Sequence, residues 1–176
     1  MITEERYSEK NEVRQLIKNL DSKNGRERLK SRQQLVSKGK SVLEPLIEQL
    51  DNPSYRVQWE AMKTLEEIGD PGTIPVFIQA LEDDESEIRW LAAEGLIGTG
   101  FNCVVPLLKT LLEKSESNSI FTYAGAHHIF YDLRKKNALP EGFPVDKLLS
   151  VLKNPGWTEN LNLVVFKILN SLPLEN

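Results

Sequence analysis

The chain has 176 residues, 40% of them hydrophobic and 27% charged, which fits one domain with a continuous core and a well-solvated surface. Its net charge of -4 argues against nucleic acid as a partner of the whole chain, and no apolar run approaches membrane-spanning length. Cys103 is the only cysteine, so no intrachain disulfide can form. The N-terminus, MITEERYSEKNE, has no apolar signal core, and together these features predict a soluble, cytoplasmic protein.

An apolar pair followed by a leucine recurs along the chain: Leu16-Ile17-x-x-Leu20, Leu46-Ile47-x-x-Leu50, Phe77-Ile78-x-x-Leu81, Leu107-Leu108-x-x-Leu111 and Leu148-Leu149-x-x-Leu152. The spacing is one face of a helix, here called an A helix. Eight residues past the leucine of the first three lies a second landmark, Arg28, Gln58 or Arg89, and eleven residues further a glycine, Gly39, Gly69 or Gly100. A B helix fits between them, ending where a left-handed residue is wanted. Pro45, Pro75 and Pro106 each follow six residues after the glycine, at the first turn of the next A helix. Asn52-Pro53, Asn154-Pro155, Asp84-x-x-Glu87 and Ser41-x-x-Glu44 read as helix-start signals.

The fourth unit departs from this period. A polar loop, Glu113 to Ser119, precedes a B helix expected from about Ile120 to Lys136, and Asn137 to Pro144 forms a longer connection. The last helix, Leu161 to Leu169, is more apolar than a terminal cap should be. The whole predicts a single all-α domain of five helical hairpins, at about residues 8–39, 40–69, 70–100, 101–136 and 143–172.

The run Ile88-Arg89-x-x-Ala92-Ala93-x-x-Leu96, with Gly100 and Pro106, resembles the short HEAT-like repeat of the phycobilin lyase type. The second unit matches with Gln58 in place of the arginine. The first keeps Arg28 and Gly39 but has Ser31 and Arg32 where small apolar residues are usual. The resemblance implies a right-handed α-solenoid with A helices on the convex side and B helices on the concave side. It also implies that an aspartate of the A–B turn (Asp51, Asp83 or Asp84) pairs with Arg28 or Arg89 of a neighbouring unit. It admits a bilin lyase or bilin-chaperone subunit as an alternative function.

The residue after each landmark is Leu29, Trp59, Trp90 or Tyr123, and Leu161 stands at the matching place in the last unit. Four residues on lie Gln33, Lys63, Glu94 and His127. One reading is a groove with aromatic anchors and polar neighbours for a protein or peptide, formed by Leu29, Trp59, Trp90, Tyr123, Lys63, Glu94 and His127. The other is that the large side chains fill the seam between B helices. Adjacent His127 and His128 point about 100° apart on a helix, and no ligand set at metal spacing accompanies them, so no metal is expected.

Cys103 sits near a helix start, which lowers a thiol pKa, but no base is apparent and no catalytic residue is assigned. The acidic run Glu82-Asp83-Asp84-Glu85-x-Glu87 is explained by helix-start carboxylates. Residues 1–40 carry 11 Lys+Arg against 6 Asp+Glu, and the rest 11 against 20, which admits weak, salt-sensitive self-association. The basic first unit (Lys23, Arg26, Arg28, Lys30, Arg32, Lys38, Lys40) keeps nucleic-acid binding as a second alternative. The expected function is a non-catalytic protein-interaction scaffold without cofactor, whose partner is another protein or peptide.

Overall fold

Gly39, Gly69 and Gly100 have positive φ, of 57°, 64° and 60°, a backbone region that favours glycine, where the B helix of each of the first three hairpins gives way to the next A helix. The computed structural model describes residues 2–114, 119–153 and 158–172. These form α1 (Ile2–Asn19), α2 (Gly25–Lys38), α3 (Leu43–Ile47), α4 (Tyr55–Ile68), α5 (Ile74–Ala80), α6 (Ser86–Gly98), α7 (Val104–Glu113), α8 (Ile120–Lys135), α9 (Val145–Leu152) and α10 (Thr158–Ser171). No strand occurs among the described residues. Asn154-Pro155 and most of the polar loop after Glu113 lie outside the described residues.

The A–B turns share one hydrogen-bond scheme. Ser22 Oγ, Asn52 Oδ1 and Asp83 Oδ1 accept the backbone N–H two residues on, at 3.1, 2.9 and 2.8 Å. The landmark side chain then reaches back six residues to the carbonyl of that same turn residue. Arg28 Nη1 donates to Ser22 O at 2.8 Å, Gln58 Nε2 to Asn52 O at 2.8 Å, and Arg89 Nη1 to Asp83 O at 2.7 Å. This corrects the helix-start assignment. Asn52 and Asp83 are turn-closers two residues before the caps, Ser54 and Glu85, and Pro53 lies in the turn. Ser41 Oγ donates to Lys38 O within a short 3-10 segment, Gly39–Val42, that leads into α3.

Two compact units result, Met1–Thr73 and Ile74–Asn176. In the first, α2 packs on α1 and α4, and α3 packs on α4. Leu16, Leu20, Leu35, Leu46, Ala61, Met62 and Leu65 form its interior. Glu60 of α4, only 3% exposed, accepts Arg28 Nε at 2.7 Å and Arg32 Nη1 at 2.6 Å. Arg32 Nε lies 3.1 Å from Glu67 Oε1. An arginine where a small apolar residue is usual is thus balanced by a buried carboxylate on the facing helix, since an unpaired charge there costs several kcal/mol. The carboxylate that Arg28 meets is therefore on the next B helix rather than in a turn. Arg89 uses main-chain oxygens of Asp83 and Asp84.

In the second unit α6 packs on α5 and α8, and α5 touches α7. The last hairpin breaks this order. Helix α9 packs on α8, a B helix, while α10 packs on α9 and on α7, an A helix. The connection before α9 permits the change of place. Asn137, at φ 51°, ends α8, with Ala138 N–H donating to Leu133 O at 2.9 Å. Phe143 then stacks on Phe130 of α8, ring centroids 6.2 Å apart. Helix α10 buries Leu161, Val165 and Ile168 in this arrangement but leaves Leu163 and Phe166 more than half exposed.

Glu82, from the acidic run, has a structural task. Its Oε1 accepts the N–H of Thr122 at 2.8 Å and the Thr122 hydroxyl, so it caps α8 from another hairpin. Burial raises the Glu82 pKa, but the Thr122 and Ser119 hydroxyls, the Thr122 N–H and the Lys114 charge outweigh it and leave it lowered.

This packing can be tested at two residues. A Cβ at Gly95 of α6 would fall 2.5 Å from Phe77 Cζ, in a ring that is itself fully buried. Gly95→Ala gains about 1 kcal/mol of helix propensity but overpacks the core by about 1–3 kcal/mol, so it should lower stability in urea unfolding. For Glu82, a lowered folded pKa means stability that is present above the unfolded value and lost as pH falls through the folded one. Glu82→Gln should cost about 1–2 kcal/mol at pH 7, and its deficit relative to the parent protein should shrink below pH 4.5.

Candidate functional site

The four residues expected to form an aromatic and apolar stripe sit in different environments. In the first unit, Leu29 on α2 is 44% exposed and Trp59 on α4 is half-buried. In the second, Trp90 on α6 is 56% exposed, whereas Tyr123 on α8 is fully enclosed and donates its hydroxyl to Lys114 O at 3.2 Å. Burial raises the Tyr123 pKa, helped by the Glu82 charge. Leu161 is buried too.

The exposed aromatic that accompanies Trp90 is instead Phe121, two residues earlier in α8, and the Arg89 guanidinium covers its ring at 4.0 Å. Ile120 beside it is 69% exposed. The sequence pattern missed Phe121 because it belongs to the first turn of α8. In that turn Thr122 and Tyr123 take the buried face and Phe121 is left outward.

The polar row is locally neutralised. Lys63 pairs with Glu66 along α4. Glu94 of α6 meets His128 Nε2 at 3.1 Å, so the histidine that faces α6 is His128. His127 turns elsewhere. Its Nε2 is enclosed and makes no hydrogen bond to the described residues. Burial lowers its pKa, with the charges of Lys153 and His128 acting the same way, so the ring is neutral at pH 7. Asp132, one turn beyond His128, brings its carboxylate to the Glu94–His128 pair, with the three ligand atoms within 4.8 Å of one another. This trio escaped the sequence reading because Glu94 is 34 residues away from His128, although His128 and Asp132 have the i, i+4 spacing of one helix face.

Cys103 departs from its expectation. It lies in a 3-10 turn, Gly100–Cys103, with no exposure, and its thiol donates to Gly100 O at 3.2 Å. Burial pushes its pKa up to about 11, which corrects the lowering expected at a helix start. Of the basic residues in the first unit, Arg28 and Arg32 are held by Glu60, and Lys38 by Glu12 at 2.9 Å. Among the described residues no helix is long and apolar enough to cross a membrane.

The contrast between Trp90 and Tyr123 is measurable. Trp90→Ala should change stability by no more than about 0.5 kcal/mol, while Tyr123→Ala should cost about 3–5 kcal/mol through the cavity it leaves. Urea unfolding of the two variants checks both values.

The family described as HEAT repeats matches residues 43–122, which span α3 to the start of α8. No curated protein matches the sequence. Among solved structures, one from the complex of CpcE and CpcF of phycocyanin lyase from Nostoc sp. PCC7120 is similar, with a TM-score of 0.58 and 20% identity. The likeness covers 89% of this chain and 97% of that one. The repeated hairpins, the family match and the shared fold agree: the described residues are all-α, with the fold class of an α-solenoid, and HEAT repeats are recognised over residues 43–122.

Proposed function

We propose that the chain is a non-catalytic interaction module that binds another protein through exposed side chains of its B helices. The observation that carries this reading is Trp90, 56% exposed on a helix whose remaining large apolar residues are buried. Next to it Arg89 and Phe121 form a cation–π pair at 4.0 Å. Tryptophan and arginine are among the residue types that most often dominate binding energy at interfaces. Leu29 and Trp59 offer a comparable surface on the first unit. Lys63 and Glu94 supply polar neighbours on these B helices, whereas Tyr123 and the Nε2 of His127 are enclosed on α8.

The partner best supported is itself a HEAT-repeat subunit. The similar structure comes from a complex of two proteins, and this chain matches 97% of one chain's length. A role alongside a bilin lyase is the second reading, favoured by the same likeness. Nucleic-acid binding through the basic first unit is less favoured, because three of its seven basic residues, Arg28, Arg32 and Lys38, are engaged by carboxylates of the chain itself.

The test is co-purification from native extract of the parent protein and of the Trp59→Ala/Trp90→Ala double variant. The expected result is a partner retained by the parent and lost by the variant, whose melting temperature falls by no more than a few degrees. Equal recovery of the partner by both proteins would overturn the assignment of this surface. Mixing with a free bilin separates the second reading, through a shift in the pigment's absorption spectrum.

A further inference from the structure

We propose that Glu94, His128 and Asp132 form a binding site for a divalent transition-metal ion of the zinc class. Helix α6 supplies Glu94, and α8 supplies His128 and Asp132 one helical turn apart, so all three face one another from two packed helices. Their ligand atoms lie within 4.8 Å of one another, and Glu94 Oε1 is 3.1 Å from His128 Nε2. In a tetrahedral zinc site with bonds of about 2.0–2.2 Å, neighbouring ligand atoms stand roughly 3.3 Å apart. The glutamate and histidine are already near that separation, and a side-chain rotation of Asp132 would close the other two edges.

The charge around the trio points the same way. Two carboxylates meet one imidazole, and among the described residues no lysine or arginine forms an ion pair with Glu94 or Asp132. Elsewhere in this chain a carboxylate turned toward a neighbouring helix is matched by cations, as Glu60 is by Arg28 and Arg32. A histidine–glutamate hydrogen bond alone explains two members of the trio. It leaves unexplained why the half-buried Asp132 carboxylate stands within 4.8 Å of both.

One nitrogen and two oxygen donors suit zinc and its neighbours. Calcium and magnesium prefer a full shell of oxygens, and the imidazole nitrogen argues against them. Three protein ligands leave a fourth position for water. His127 is not part of the site, because its ring points about 100° away around the helix. The ion would tie the B helix of the third hairpin to that of the fourth, within one compact unit.

The experiment is a titration of the metal-stripped, tag-free full-length protein with Zn2+ at pH 7.5, read by calorimetry and by competition with a chromophoric zinc indicator. One ion per chain is expected, together with a rise in melting temperature on zinc addition. His128→Ala and Asp132→Asn should each weaken binding about tenfold or more. His127→Ala and Cys103→Ser should bind as the parent does. His128 and Asp132 are only partly buried, so both variants should keep the helical far-UV spectrum, and Asp132→Asn preserves side-chain volume. Failure of the parent to bind one equivalent of Zn2+ would overturn the site. Undiminished binding by Asp132→Asn and His128→Ala, or loss of binding in His127→Ala, would also overturn it.

Discussion

The structure depends on how each A–B turn is closed. A helical hairpin buries nothing until its two helices lie side by side, and a turn of a few residues must hold them there against chain entropy. In the first three hairpins one residue does this twice over. Its side chain accepts the N–H that precedes the B helix, and its carbonyl accepts a guanidinium or amide from one turn inside that helix. The turn is locked from both its side-chain and its main-chain oxygen. Arginine and glutamine are interchangeable at the landmark because the bond needs a long side chain ending in N–H, and it does not need a charge.

This explains how much of the fold is legible in the sequence. The helices, their pairing into hairpins and the left-handed glycines all follow from local periods, and the local geometry repeats them. The features that local periods do not reveal involve competing or distant partners. The arginine landmark suggests a charge partner, yet its first obligation is to its own turn. The cap expected at Asn52 is displaced because its side chain in the tight turn takes an alternative acceptor role that competes with capping, and the helix expected to start at Asp84 is capped one residue later, at Glu85, with Asp83 in that acceptor role. The change of place by α9 and α10 has no local signature beyond the longer connection at Asn137 to Pro144.

The surface is less legible than the core for a related reason. Trp59, Trp90 and Tyr123 occupy one position in the pattern, yet their exposure ranges from half or more to almost none. Repeat periodicity specifies the direction of a side chain from its own helix. Whether that direction ends in solvent depends on what the neighbouring hairpin places there. Tyr123 meets the Lys114 carbonyl and the interior, and Phe121 takes the outward place. The same logic hides Glu94, His128 and Asp132, which become neighbours only when α6 and α8 pack.

The pairing of α10 with α7 bears on how the chain acquires its structure. Almost every other helix contact joins elements that are adjacent, or next but one, along the chain. Such local topology favours rapid folding, since little loop entropy is lost before contacts form. Helix α10 must instead reach back across the whole of α8 and α9. It is also the helix that leaves Leu163 and Phe166 in water. The docking of α10 on α7 therefore closes a longer stretch of chain than the other helix pairings of the second unit, and carries the larger loop-closure entropy.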